Sequence, residues 1–189
     1  MEDAGKTKTF LTRLHRAEVT KIVKWSEKDN LIYFVATLPD QPGTRHFYRL
    51  DPTSTTKKEP ECLSCDLKMA SLSDRLPCAY FDASLSPDGR HYALSCKGPD
   101  VPYVCLHETD GNANDHVDVY EDNSELLARM EGRDLPTVRM MEVPLAGTEL
   151  RARVKLYLPP DFDEEEDYPL VVYVYGGPGN QQVRGIKRI

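Results

Sequence analysis

Tyr80-Phe81-Asp82-Ala83-Ser84-Leu85-Ser86-Pro87-Asp88-Gly89-Arg90-His91-Tyr92-Ala93-Leu94-Ser95-Cys96 is the stretch that decides the fold. Apolar residues alternate on both sides of Pro87-Asp88-Gly89, the pattern of two antiparallel strands joined by a tight turn. Cys78 and Cys96 stand equally far from Pro87, so the fold-back predicts them near opposite one another and within disulfide reach. Two buried free thiols are the other reading of that pair. After a loop at Gly98-Pro99-Asp100, a third strand is expected over Val101–His107, with a fourth behind it.

The same plan occurs once more, about 60 residues earlier. Ile22-Val23-Lys24-Trp25 leads into the turn Ser26–Asn30, and Leu31–Ala36 returns; a loop rich in Pro, Asp and Gly, residues 39–43, precedes a strand over His46–Leu50. Trp25-Ser26 and Leu85-Ser86 hold equivalent places in the two units. A hairpin, a loop, a third strand and a fourth make the blade of a β-propeller, and two blades cannot close a ring of four to eight. The units are therefore expected to end a longer array.

Composition agrees with a folded chain. Of the 189 residues 40% are hydrophobic and 29% charged, with a net charge of −7, which excludes a disordered polyelectrolyte. Lys and Arg are not clustered, so nucleic acid is not an expected partner. The acidic run Asp163–Asp167 reads as a solvated loop. No apolar stretch is long enough to span a bilayer, and the N-terminus lacks the apolar segment of a signal peptide.

Read alone, those features would keep the chain in the cytosol, whereas the five cysteines, Cys62, Cys65, Cys78, Cys96 and Cys105, speak for another compartment. Cys62-Leu63-Ser64-Cys65 has the C-x-x-C spacing used by zinc knuckles, redox sites and small disulfides. There is no second pair for a zinc knuckle, and the five histidines are scattered; no βα pattern follows for a thioredoxin-like site. A structural disulfide leads by elimination, no metal or cofactor is expected, and disulfides imply an oxidising compartment. Cys105 has no evident partner.

Beyond Val119 the pattern changes. Asp122-Asn123-Ser124-Glu125 fits a capping box with Asp122 as N-cap, and Leu126, Leu127 and Met130 follow at helical spacing up to Gly132. A long hairpin is then expected, from Val138 to Pro144 and from Glu149 to Leu158, stopped by Pro159-Pro160. Tyr168-Pro169-Leu170-Val171-Val172-Tyr173-Val174-Tyr175 is almost continuously apolar, as in a central strand covered on both faces. It runs into Gly176-Gly177-Pro178-Gly179, a turn at the carboxyl end of a strand, where α/β sheets place their ligands.

Taken in order, Cys62-Leu63-Ser64-Cys65, Tyr92–Pro99, Glu121–Ser124, Tyr157–Asp163, Tyr168-Pro169-Leu170 and Val174–Pro178 resemble the dipeptidyl peptidase IV family, over about residues 10–184. The resemblance implies a β-propeller, of which residues 1–118 would be the last two blades. It implies a helical connector over 119–136 and the first strands of an α/β-hydrolase domain over 137–189, truncated. It pairs Cys62 with Cys65 and Cys78 with Cys96, and favours the secreted or type II membrane branch over cytosolic relatives. It also implies a homodimeric parent that releases N-terminal dipeptides with Pro or Ala second from peptide substrates.

The chemistry of such an enzyme needs a nucleophilic Ser on a G-x-S-x-G elbow, then Asp, then His. No G-x-S-x-G occurs, and all five histidines precede the hydrolase strands. The triad is thus expected beyond residue 189, and the chain alone is expected to be inactive. By resemblance, Tyr175 is the phenol donor of the oxyanion hole in the complete enzyme, with Gly176, Gly177 and Pro178 forming the substrate-side turn. Two departures from the family's pattern are Gly179, where many members carry Cys, and the sequence after Arg184. A binding or dominant-negative isoform that pairs with a full-length subunit is the alternative reading.

Overall fold

The computed structural model describes residues 10–12, 17–53, 59–67, 75–110, 116–178 and 180–187. The chain divides into two units, Met1–Asp122 with Gly185–Ile189, and Asn123–Arg184. The first holds both expected propeller blades. One is an antiparallel sheet of β1 (Val19–Ser26), β2 (Leu31–Leu38), β3 (Gln41–Leu50) and β4 (Glu61–Cys62). The other is built from β5 (Phe81–Leu85), β6 (His91–Cys96), β7 (Tyr103–Glu108) and β8 (His116–Glu121). In each sheet the strands lie side by side in chain order.

The equivalence of Trp25-Ser26 and Leu85-Ser86 has a local cause. Ser26 Oγ donates to Asp29 Oδ2 at 2.9 Å, and Ser86 Oγ donates to Asp88 Oδ1 at 2.6 Å. In both hairpins the hydroxyl at the end of the first strand ties down the aspartate of the turn. Asn30 completes the first turn at φ 51, a left-handed conformation that Asn tolerates better than most residues.

Several expectations of the first unit and of the helix need correction. The loop over residues 39–43 is a two-residue turn at Pro39-Asp40: Asp40 takes φ 57, and β3 already begins at Gln41, paired with Leu38. Cys78 and Cys96 do come within disulfide reach, but the ladder partner of Cys96 is Phe81, because the turn is centred beyond Pro87. Cys78 lies three residues before Phe81, where the chain has left the ladder and Tyr80 bridges to Arg45. The third strand of the second blade starts at Tyr103, leaving Val101 and Pro102 in the preceding loop. Helix α1 (Ser124–Met130) is capped by Asn123 at φ 53, not by Asp122, and the cap makes no side-chain hydrogen bond to the helix.

The core of the first unit lies between the blades. Tyr33, Val35, Phe47 and Leu63 of the first sheet pack with Phe81, Ala83, Tyr92, Leu94, Cys96, Tyr103 and Cys105 of the second, all buried. Phe47 is fully buried, with its ring centroid 5.9 Å from Tyr33 and 5.3 Å from Tyr92. Burying a side chain of this size contributes roughly 1.5–3 kcal/mol. Polar ties rim this core. Lys21 Nζ meets Asp82 Oδ1 at 2.7 Å, and Lys24 Nζ donates to the carbonyls of Ser86 and Pro87 at 3.0 and 2.8 Å. Arg49 grips Glu61 with two nitrogens and donates from Nη1 to the Thr109 carbonyl at 2.7 Å.

The second unit contains α1 and a hairpin of β9 (Thr137–Pro144) and β10 (Arg151–Leu158), paired without a register shift from Leu158↔Thr137 to Arg151↔Pro144. None of its helical residues is buried, and every residue of β9 is exposed. The expected central strand over Tyr168–Tyr175 does not form. Among the described residues no strand pairs with it, and Leu170, Val171 and Val174 are 78%, 91% and 82% exposed. A central strand needs a partner on each edge and cover on both faces, which the described residues do not supply.

Candidate functional site

The substrate-side turn follows that unpaired run. Gly176 has open space where a Cβ would stand, whereas a Cβ on Gly177 would lie 2.8 Å from Tyr175 Oη and 3.0 Å from its Cζ. The Tyr175 ring therefore folds back over Gly177, and the missing side chain makes room for it. Asn180 N–H donates to the Gly177 carbonyl at 3.1 Å, closing the turn around Pro178. Tyr175 as a residue is 54% exposed. Gly179 lies outside the described residues.

The cysteines form two disulfides, Cys62–Cys65 with Cα atoms 5.7 Å apart and Cys78–Cys96 with Cα atoms 5.9 Å apart. The first closes the short loop after β4; the second fastens the chain entering β5 to the end of β6. Cys105 is the one free thiol and is fully buried, with Sγ 3.1 Å from His107 Nε2. That pair has the elements of a nucleophile and its base. However, burial pushes the Cys105 thiol up to about 12, which keeps it protonated and unreactive.

A second pairing was not legible in the sequence. His46 Nδ1 lies 3.0 Å from Ser64 Oγ, which also accepts the Phe47 N–H at 3.0 Å. Both side chains are buried, so this is a structural pair and not a catalytic dyad. Burial holds the imidazole below its usual pKa, and the contact with Ser64 opposes that only in part. His46 also stands beside the Cys62–Cys65 loop. The β3–β4 register sets Tyr48 opposite Cys62 and so brings a residue two places earlier on β3 to the same region. No spacing rule links positions 46 and 62, so only the pairing of strands could reveal it.

A family model of the dipeptidyl peptidase IV (DPP IV) N-terminal region matches residues 1–103, more than half of the chain. The chain belongs to the dipeptidyl peptidase IV family. It is 36% identical over 168 residues to venom dipeptidyl peptidase 4 of Vespa velutina, an alignment covering 88% of this chain and 20% of that one. It is 34% identical over 161 residues to human prolyl endopeptidase FAP, covering 84% of this chain and 20% of that one. In structure it resembles a Bacteroides ovatus protein of dipeptidyl aminopeptidase IV type, with a TM-score of 0.64 and 18% identity over 91% of this chain and 22% of that one. The family is thereby established, and the antiparallel sheets fit the β-propeller part of its fold. The chain spans about a fifth of the length of the curated relatives it matches. Among the described residues no helix is long and apolar enough to cross a membrane.

Proposed function

We propose that this chain is part of a serine exopeptidase that releases N-terminal dipeptides with Pro or Ala second. In this reading residues 1–118 belong to the propeller, residues 119–136 connect, and residues 137–189 begin the hydrolase domain. The observation that carries the proposal is Tyr175-Gly176-Gly177-Pro178, with Tyr175 half-exposed and its ring folded over Gly177, in a member of a peptidase family. A phenol held still beside a turn can donate to the oxyanion of a tetrahedral intermediate, where one such donor is worth about 10²–10³ in kcat. The two disulfides support an extracellular parent, secreted or anchored as a type II membrane protein. The homodimer implied by the family resemblance belongs to the same reading.

No G-x-S-x-G elbow occurs in this sequence and its last histidine is His116, so on this reading the 189-residue chain is expected to leave a Gly-Pro chromogenic substrate intact. In the complete parent, Tyr175→Phe is expected to lower kcat by about 10²–10³ with little change in KM. Turnover by the chain alone, or an unchanged kcat in the variant, would refute the proposal. A second reading, a non-catalytic partner of a full-length subunit, is favoured by the run Leu170–Val174, whose side chains are 70–91% exposed. Co-purification with the intact enzyme tests it, and passage of the two proteins as separate species counts against it.

A further inference from the structure

The surroundings of the Cys62–Cys65 loop exceed what a structural disulfide requires. Ligand atoms of His46, Cys62 and Cys65 lie within 4.8 Å of one another, and His46 is only 5% exposed. Ser64 Oγ holds the imidazole through Nδ1 at 3.0 Å, and its own position is fixed by the Phe47 N–H. Tyr48 Oη lies 3.7 Å from Cys65 Sγ; a disulfide sulfur carries no hydrogen, so the phenol is the donor. A donor on a ligand sulfur and a partner that orients a ligand imidazole are the outer contacts typical of metal centres. The C-x-x-C spacing also matches that of zinc knuckles.

We propose that His46, Cys62 and Cys65 form a site for a thiophilic divalent cation, zinc being the probe of choice, which the disulfide closes and its reduction opens. A dithiol reductant supplies two electrons and two protons, the S–S bond breaks, and the reductant leaves as its own disulfide. Zinc then binds the two sulfurs and displaces the two thiol protons as the Zn–S bonds form. Two thiolates on a tetrahedral zinc stand roughly 3.8 Å apart, which side-chain rotation can supply from neighbouring positions on a short loop. The imidazole of His46 provides the third ligand, and a water molecule takes the fourth position. Cys65 lies at the surface, which gives the ion and the reductant a way in.

The test uses the full chain, oxidised and phosphine-reduced, with zinc measured by competition against a chromophoric chelator. Reduction is expected to create one tight site per chain that the oxidised chain lacks. His46→Gln and Cys62→Ser should each weaken binding at least about tenfold, while His91→Gln, an exposed residue at the start of β6, leaves it unchanged. X-ray absorption of the zinc-loaded parent chain should show two sulfurs and an imidazole nitrogen, and does not depend on any variant folding. Absence of zinc binding after reduction, equal affinity in His46→Gln, or a shell of sulfur alone would overturn the proposal.

Discussion

Phe47→Ala is the perturbation that best separates the two units. Phe47 is fully buried between the blades and packs on the rings of Tyr33 and Tyr92. Removing a buried Phe side chain costs about 3–5 kcal/mol in lost transfer free energy and cavity formation. At 1.4 kcal/mol per factor of ten, the core amides of β2, β3, β5 and β6 should lose about 140- to 3700-fold of their protection from hydrogen exchange. A domain stable by about 5 kcal/mol protects such amides several-thousand-fold, so the variant would keep only about 0–2 kcal/mol of that stability. The hairpin β9–β10 is different, because a two-stranded hairpin on its own is marginal and β9 is exposed throughout. Its amides should exchange within about tenfold of the unstructured rate in parent and variant alike. Hydrogen exchange read by mass spectrometry resolves these segments. Equal protection of β2 and β9 in the parent, or an unmoved β2 in Phe47→Ala, would show that the stability does not reside in the interblade core.

Three further outcomes follow from the same structure. Replacing Cys78 and Cys96 by Ala should cost about 3 kcal/mol, against about 1.5 kcal/mol for Cys62 and Cys65, because the longer loop releases more chain entropy; paired denaturant titrations check the ranking. Burial raises the pKa of Asp82, but Lys21, the Ala83 N–H and Lys97 outweigh it and leave the carboxylate below its usual value. Its contribution is therefore complete above pH about 4 and is lost as pH falls through the depressed folded value; Asp82→Asn should remove that part of the acid sensitivity in urea melts run as a function of pH. Cys105 should resist thiol reagents at neutral pH in the folded chain and react at once in denaturant, since burial holds its thiol at about 12; labelling of the native protein would contradict that.

The blades were legible in the sequence because period-two alternation and turn residues are local signals. Phe81–Leu85 and His91–Cys96 pair around the expected turn, and Ser26 and Ser86 do the same job at equivalent places. What failed needed non-local information or finer turn geometry. Counting outward from Pro87 assumed a ladder running as far as Cys78, but the chain leaves it at Tyr80 to meet Arg45 of the other blade. Pro39-Asp40-Gln41-Pro42-Gly43 looked like a loop by composition, yet a left-handed Asp40 turns the chain in two residues and the remainder joins β3. His46 became interesting only when β3 paired with β4.

The run Tyr168–Tyr175 teaches a different lesson. An apolar stretch states what a segment must bury, and it says nothing about whether the cover is at hand. The first unit meets that demand internally, because each blade supplies the other's missing face: Phe47 needs Tyr92, and Tyr92 needs Phe47. Leu170–Val174 has no such counterpart among the described residues and stays exposed. The consequence reaches Tyr175. An oxyanion donor is effective when its position is fixed before charge develops, and a flanking strand would be what fixes it. Here the ring lies against Gly177, and half of the residue remains in contact with solvent. The residues of the turn are therefore written into this chain, whereas the rigidity that would make the phenol catalytic has to come from strands that cover Leu170–Val174.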